Sequence, residues 1–160
     1  MAQDYRQGWL ELFRANLNEL FELALLLTAD PLKAEAGVTR SIESLDVFAQ
    51  PDIKILKKTV ALHSTSEGSV SSTLGASHAR SMLRQGLWPV LQVARSPRAC
   101  FVLKVLMGYG TSACAGMLGI EQHAISTLLR MAILQLHSAV IASELGGQPS
   151  YKSLHSEDLS

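Results

Sequence analysis

The sequence predicts an all-α protein made of two small helical domains joined by a flexible linker. Apolar residues recur at steps of three and four along most of the chain, which is the period of an α-helix. No alternating strand pattern and no Asn-Gly or Asp-Gly hairpin signal competes with these helices. A run rich in serine and glycine divides the chain. We therefore expect a first domain at 1–62, a linker at 63–77, a second domain at 78–146 and a disordered tail at 147–160.

Three helices are predicted for the first domain. Apolar residues from Asp4 to Leu27 occupy one face of a long helix. Asp30 followed by Pro31 fits an N-cap with proline at the first helical position, so a second helix should run to about Leu45. After a break at Phe48-Ala-Gln-Pro-Asp, apolar residues from Ile53 to Leu62 predict a third helix.

The second domain shows four helical segments with clear stop signals. The first covers Ala79 to Val93, where Pro89 should kink or end the helix because it has no amide donor. The next follows Pro97 and ends at Gly108-Tyr-Gly. The last two are expected from Thr111 or Ser112 to Leu118-Gly119, and from Glu121 or Gln122 to about Leu145.

The net charge is zero, with 14 basic and 14 acidic residues, but the two halves differ in sign. Residues 1–62 hold seven basic and nine acidic groups, whereas residues 77–140 hold six basic groups and one acidic group. A polyanion partner for the second half and an ordinary basic surface both fit this pattern.

The sequence offers few candidate residues for a catalytic, metal-binding or phosphate-binding site. Cys100 and Cys114 lie among apolar neighbours without the close pairing of a zinc site, so we expect two reduced core cysteines. The five histidines show no ligand spacing, and neither a nucleophile elbow nor a phosphate-binding glycine loop is present. These patterns predict no metal, no cofactor and no enzyme activity.

The sequence predicts no membrane association. Its first residues lack the basic and apolar regions of a secretory signal. The longest apolar run near the start, Leu23 to Leu27, is far shorter than the roughly 20 residues that cross a bilayer. We expect a cytoplasmic location.

Two segments resemble a known family. The residues Leu118-Gly119-Ile120 suit the turn of a helix-turn-helix. Together with Arg98-Ala-Cys-Phe-Val-Leu-Lys-Val-Leu-Met-Gly and the apolar residues up to Leu136, they resemble the promoter-binding domain of extracytoplasmic-function sigma factors of bacterial RNA polymerase. The segment Leu20-Phe-Glu-Leu-Ala-Leu-Leu-Leu-Thr-Ala-Asp30, followed by Ala34-Glu35, looks like the start of the polymerase-binding domain of the same family.

The resemblance implies two interfaces. The second helix would bind core RNA polymerase through Glu35, Val38, Thr39 and Ile42. The helix after Ile120 would enter the major groove of promoter DNA. The residues expected to contact DNA are Gln122, His123, Ser126, Thr127, Arg130 and Arg98, although Arg98 could instead stabilise the domain by hydrogen bonding.

Several family positions hold other residues here, which leaves alternative functions open. Ala36, Thr39 and Arg40 occupy polar positions of the polymerase-binding helix, and Met131 stands where an arginine is expected. A sigma-like regulator that no longer recognises a promoter, and that pairs with an anti-sigma or other regulatory protein around Leu128 and Met131, is the alternative. An isolated DNA-binding regulator is a third hypothesis, which the acidic first half disfavours.

Overall fold

The computed structural model describes residues 4–66, 83–84 and 86–146, and these residues form helices without any strand. The all-α prediction is confirmed. A π-helical turn, Val102–Leu106, directly follows the helix Arg95–Phe101. The helices are α1 (Arg6–Thr28), α2 (Pro31–Ser44), α3 (Ile53–Ser66), α4 (Trp88–Leu91), α5 (Arg95–Phe101), α6 (Thr111–Leu118) and α7 (Gln122–Gly146).

Local signals explain where the first helices begin and end. Ala29 ends α1 in the left-handed conformation, at φ 56°. The Asp30 carboxylate then accepts a hydrogen bond of 2.9 Å from the backbone N–H of Leu32, and Pro31 is the first residue of α2. This is the N-cap that the sequence predicts. The α3 helix continues to Ser66, four residues past the predicted domain end, and linker residues 67–77 lie outside the described residues.

The first three helices pack around a core that they share. We call this the first core: Trp9, Leu20, Ala24, Leu25, Ala34, Val38, Leu56 and Val60. The indole N–H of Trp9 donates to the carbonyl of Ala49 at 2.8 Å, which holds the α2–α3 connection against α1. A Cβ on Gly37 would lie 2.7 Å from Ser64 Oγ, so even an alanine there would require Ser64 to shift.

The expected helix at 79–93 is wrong for the residues described. Leu83, Arg84, Gly86 and Leu87 are not helical, and only Trp88–Leu91 forms a short helix. Proline fits best in the first turn of a helix, where its missing N–H would have no partner. Pro89 therefore lies at the start of α4 rather than ending a longer helix. Similarly, α5 begins at Arg95 and Pro97 lies in its first turn.

A second core joins the two halves of the chain. Leu26, Leu27 and Ala61 belong to the first half, yet they pack with residues of α4 to α7. We call this set the second core: Leu26, Leu27, Ala61, Val90, Ala99, Cys100, Val102, Leu103, Cys114, Ala115 and Ile125. The two-domain layout stays a prediction, and the halves are in direct apolar contact.

An ion pair also links the halves. Glu22 on α1 is almost fully buried, and its carboxylate accepts hydrogen bonds from the backbone N–H and from Nε of Arg84 at 3.1 and 2.7 Å. The carboxylate therefore binds both the side chain and the backbone of Arg84. The segment that leads into α4 is held against α1 by these contacts.

Candidate nucleic-acid and protein interfaces

The connection between α6 and α7 is a tight turn. Gly119 adopts φ 65°, a left-handed conformation that favours glycine. The backbone N–H of Ile120 donates to the carbonyl of Ala115 at 3.1 Å, and the Ile120 side chain packs against the second core. The turn therefore presents the first residues of α7 to solvent at a fixed angle to α6.

Five of the six residues expected to contact DNA lie together on α7. Gln122, His123, Ser126, Thr127 and Arg130 are all exposed, and their spacing places them on neighbouring positions of one helix face. That face points away from the core, since Ile125 and Ala132 are the buried residues of α7. We call these five residues the α7 polar face. Ser126 Oγ already donates to the carbonyl of His123 at 3.2 Å.

The α7 polar face carries little charge. Arg130 is the one lysine or arginine among its five residues, and the acidic Glu121 directly precedes Gln122. Beside the face, an open groove of about 770 Å³ is lined by residues of α6 and the turn, among them Ser112, Gly116 and Gly119. Such a face offers hydrogen-bonding groups to base edges but few contacts to phosphates.

Arg98 does not belong to this face, which corrects the prediction that it contacts DNA. Its side chain is buried, and its guanidinium donates to the carbonyls of Val93 at 2.9 Å and Leu27 at 3.4 Å. Burial, and secondarily the like charge of Arg95, lowers the pKa of Arg98 to about 10. The group therefore stays charged at neutral pH while it connects α5 to the end of α1.

The exposed face of α2 contains three of the four residues expected to bind polymerase. Glu35, Thr39 and Ile42 are exposed, and Leu32, at 75% exposure, extends the same row by one turn. We call these four residues the α2 face. Next to it, a shallow depression of about 410 Å³ is lined by Leu32, Glu35 and Thr39 and by neighbouring polar groups.

Val38 belongs to the buried side of α2, which corrects its prediction as a polymerase contact. Its side chain is buried in the first core with Ala34. Val38 follows Glu35 by three residues and precedes Ile42 by four, so spacing alone does not separate it from the exposed row. Its burial does.

A cleft between the halves was not predicted. It has a volume of about 580 Å³ and lies between α1, α3 and the residues after the π-helical turn. Leu26, Met107 and Tyr109 line it together with Lys58. Its residues come from four separate segments, so no sequence spacing indicates it.

An apolar row on α7 was only partly predicted. Met131 is exposed, as the regulator hypothesis requires, but Leu128 is half-buried and packs against the second core. Leu134, Ile141 and Leu145 continue the exposed apolar surface toward the end of α7. The three- and four-residue spacing of this row is visible in the sequence.

The α7 helix is long and apolar enough to cross a membrane, by length and composition alone. This is weak evidence for a membrane span, since core helices of soluble proteins pass the same test. The expectation of no membrane association stays a prediction.

The cysteines lie in the second core as free thiols. Burial raises the pKa of Cys100 and of Cys114, so both favour the neutral thiol. In the part of the chain that the structure describes, no group of His, Cys, Asp and Glu side chains could hold a metal ion.

No protein-family model, curated protein or solved structure matches this chain.

Proposed function

We propose that this chain is a sigma-like transcription protein that binds core RNA polymerase through the α2 face. The observation that carries the proposal is the exposed row Leu32, Glu35, Thr39 and Ile42, on a helix whose other side is buried in the first core. Large apolar side chains next to a carboxylate and a hydroxyl suit a protein interface better than a solvated surface. Three of these residues, Glu35, Thr39 and Ile42, are among those that the sigma-like resemblance assigns to polymerase binding, and Leu32 is added to them by its exposure.

In this proposal the second half forms a helix-turn-helix domain that approaches promoter DNA. The α6–α7 turn and the α7 polar face support it, because Gln122 and His123 lie in the first turn of a helix that begins at a tight glycine turn. Glutamine can pair with adenine through two hydrogen bonds in the major groove. Arg130, two turns further along, is the cation available for a phosphate.

Co-purification with core RNA polymerase tests the proposed α2 interface. We expect the wild-type chain to bind and Ile42→Glu to lose binding by at least tenfold, because a carboxylate would replace an apolar contact. Leu62→Glu is the matched control: Leu62 on α3 is 40% exposed and Ile42 is 43% exposed. Wild-type failure to bind, in a sample shown to be helical by circular dichroism, would overturn the proposal.

Binding of the polymerase complex to duplex DNA tests the proposed α7 contact. Fluorescence anisotropy at several salt concentrations should give a log–log slope that falls by about one in Arg130→Ala, as expected for one lost phosphate contact. Arg14→Ala is the control, since Arg14 is an exposed cation on α1. An unchanged slope in Arg130→Ala would contradict the proposed phosphate contact of Arg130.

A sigma-like regulator without promoter recognition is the second candidate. The exposed apolar row of α7 favours it, because apolar side chains beside the α7 polar face suit a protein partner better than a phosphate backbone. Polymerase binding that depends on Ile42, together with a salt slope that is insensitive to Arg130, would select this function over promoter recognition.

A further inference from the structure

The α7 helix presents a continuous apolar surface that the rest of the described chain leaves uncovered. Of its 25 residues, only Ile125 and Ala132 are buried. Met131, Leu134, Ile141 and Leu145 are all exposed, and Leu134 has 62% of its surface open to solvent. An exposed helix of this composition gains little stability alone, since helices in water depend mainly on packing of their apolar face.

The spacing of these residues is that of a coiled coil. Met131, Leu134, Ser138, Ile141 and Leu145 follow one another at steps of three, four, three and four. In heptad terms Met131, Ser138 and Leu145 take the a positions, and Leu134 and Ile141 take the d positions. Ser138 Oγ donates to the carbonyl of Leu134 at 3.1 Å, so its hydroxyl is satisfied within the helix. We call these five residues the α7 seam.

We propose that the α7 seam binds the seam of a second copy of this chain, with the two helices antiparallel. In an antiparallel pair, each a position meets a d position of the partner helix. Met131 would then face Ile141 of the second copy, and Leu134 would face Ser138. The first of these contacts joins two large apolar side chains, and the second joins a leucine to a small serine. The two-fold axis of the dimer repeats each contact once.

The charges beside the seam select this orientation. Arg130 and Glu144 occupy the g positions, and no ion pair with either is found among the described residues. Antiparallel pairing brings g positions of the two helices together, so Arg130 lies beside Glu144 of the second copy at both ends of the contact. A parallel pair would instead place Arg130 near the uncharged Gln135, and Glu144 would gain no cation.

Self-association of α7 has a consequence for DNA binding. The contact would cover Thr127 and Arg130 and leave Gln122 and His123 open, so the dimer and the DNA-bound chain would exclude each other. This inference goes beyond the proposed function and does not require it. Self-association depends only on the purified chain, whereas the proposed function is tested with polymerase and DNA.

Sedimentation equilibrium of the full chain tests the proposal. We expect a reversible monomer–dimer equilibrium in the wild type and at least a tenfold weaker association in Leu134→Glu and in Ile141→Glu. Ile133→Glu is the matched control: Ile133 is 54% exposed on the same helix but lies outside the seam. A wild-type chain that stays monomeric up to about 1 mM would overturn the proposal, as would equal weakening by all three substitutions.

Charge reversal tests the orientation. Arg130→Glu and Glu144→Arg should each weaken the dimer, because each places like charges together, and the double variant should recover the wild-type affinity. Failure of the double variant to recover overturns the antiparallel arrangement. Co-sedimentation of a monomeric chain with phosphatidylcholine and phosphatidylglycerol vesicles, lost in Leu134→Glu, would show that the seam binds lipid and would also overturn self-association.

Discussion

Arg98 is a buried cation whose partners are carbonyl oxygens rather than a carboxylate. Leu27, one of its acceptors, lies in the last turn of α1, where carbonyls without helical partners carry the negative end of the helix dipole. Its Nε has no hydrogen-bond partner. Burial disfavours the charged form and lowers the pKa of Arg98 to about 10. Arg98 therefore links the two halves at the cost of desolvating a charge.

This balance predicts different effects for two substitutions of Arg98. Arg98→Ala should lower the free energy of unfolding by about 3 kcal/mol, because it leaves a cavity and two carbonyls without their donor. Arg98→Met should cost at least about 1 kcal/mol less, since it fills the volume and removes the desolvated charge. Urea denaturation measures both, with Arg14→Met as an exposed control. Equal losses in the two Arg98 variants would contradict this account.

The difference in stability between the wild type and Arg98→Met should depend on pH. The folded-state pKa of Arg98, about 10, lies below that of an arginine in the unfolded chain. Above pH 10 the unfolded chain therefore holds more protons than the folded one, and folding becomes more favourable. The stability of the wild type should rise relative to that of Arg98→Met as the pH passes about 10.

At the scale of single elements, Gly119 determines how α6 joins α7. No atom lies within 4 Å of a Cβ built on Gly119, so its replacement by alanine is opposed only by the left-handed backbone conformation. We expect Gly119→Ala to lower the free energy of unfolding by about 1 kcal/mol. Gly116, inside α6, is the matched control, because it also has free space and its helical backbone suits alanine.

Gly116→Ala should therefore stabilise the protein by up to about 1 kcal/mol. Thermal or urea denaturation of the two variants measures the difference in sign. If both alanines had the same effect, backbone conformation would not be the determinant of the turn.

The elements that the sequence predicts correctly are those with local signals. The Asp30 cap and the Gly119 turn depend on residues only a few positions apart, so their spacing is sufficient to place them. The burial of Val38 and of Arg98 depends on helices that are distant in sequence. For the same reason the cleft between the halves could not be predicted, whereas the exposed α7 seam could have been found from its heptad spacing.

At the scale of the whole molecule, the second core determines how the halves behave together. The end of α1 supplies Leu26 and Leu27 to it, while Leu20 and Leu25 of the same helix lie in the first core. One helix therefore contributes to both cores. Loss of either core would remove packing from α1 and so destabilise the other.

This sharing predicts that the chain unfolds in a single transition, which its two tryptophans can report separately. Trp9 is buried in the first core, and Trp88 begins α4, the helix that supplies Val90 to the second core. The Trp88→Phe variant reports Trp9 by fluorescence, and the Trp9→Phe variant reports Trp88. Through urea denaturation, the fluorescence transition of each variant should coincide with the circular dichroism transition of the same variant. Two independent domains would instead give separate midpoints, with the fluorescence and circular dichroism of each variant diverging. That result would show that Leu26, Leu27 and Ala61 contribute too little packing energy to couple the halves.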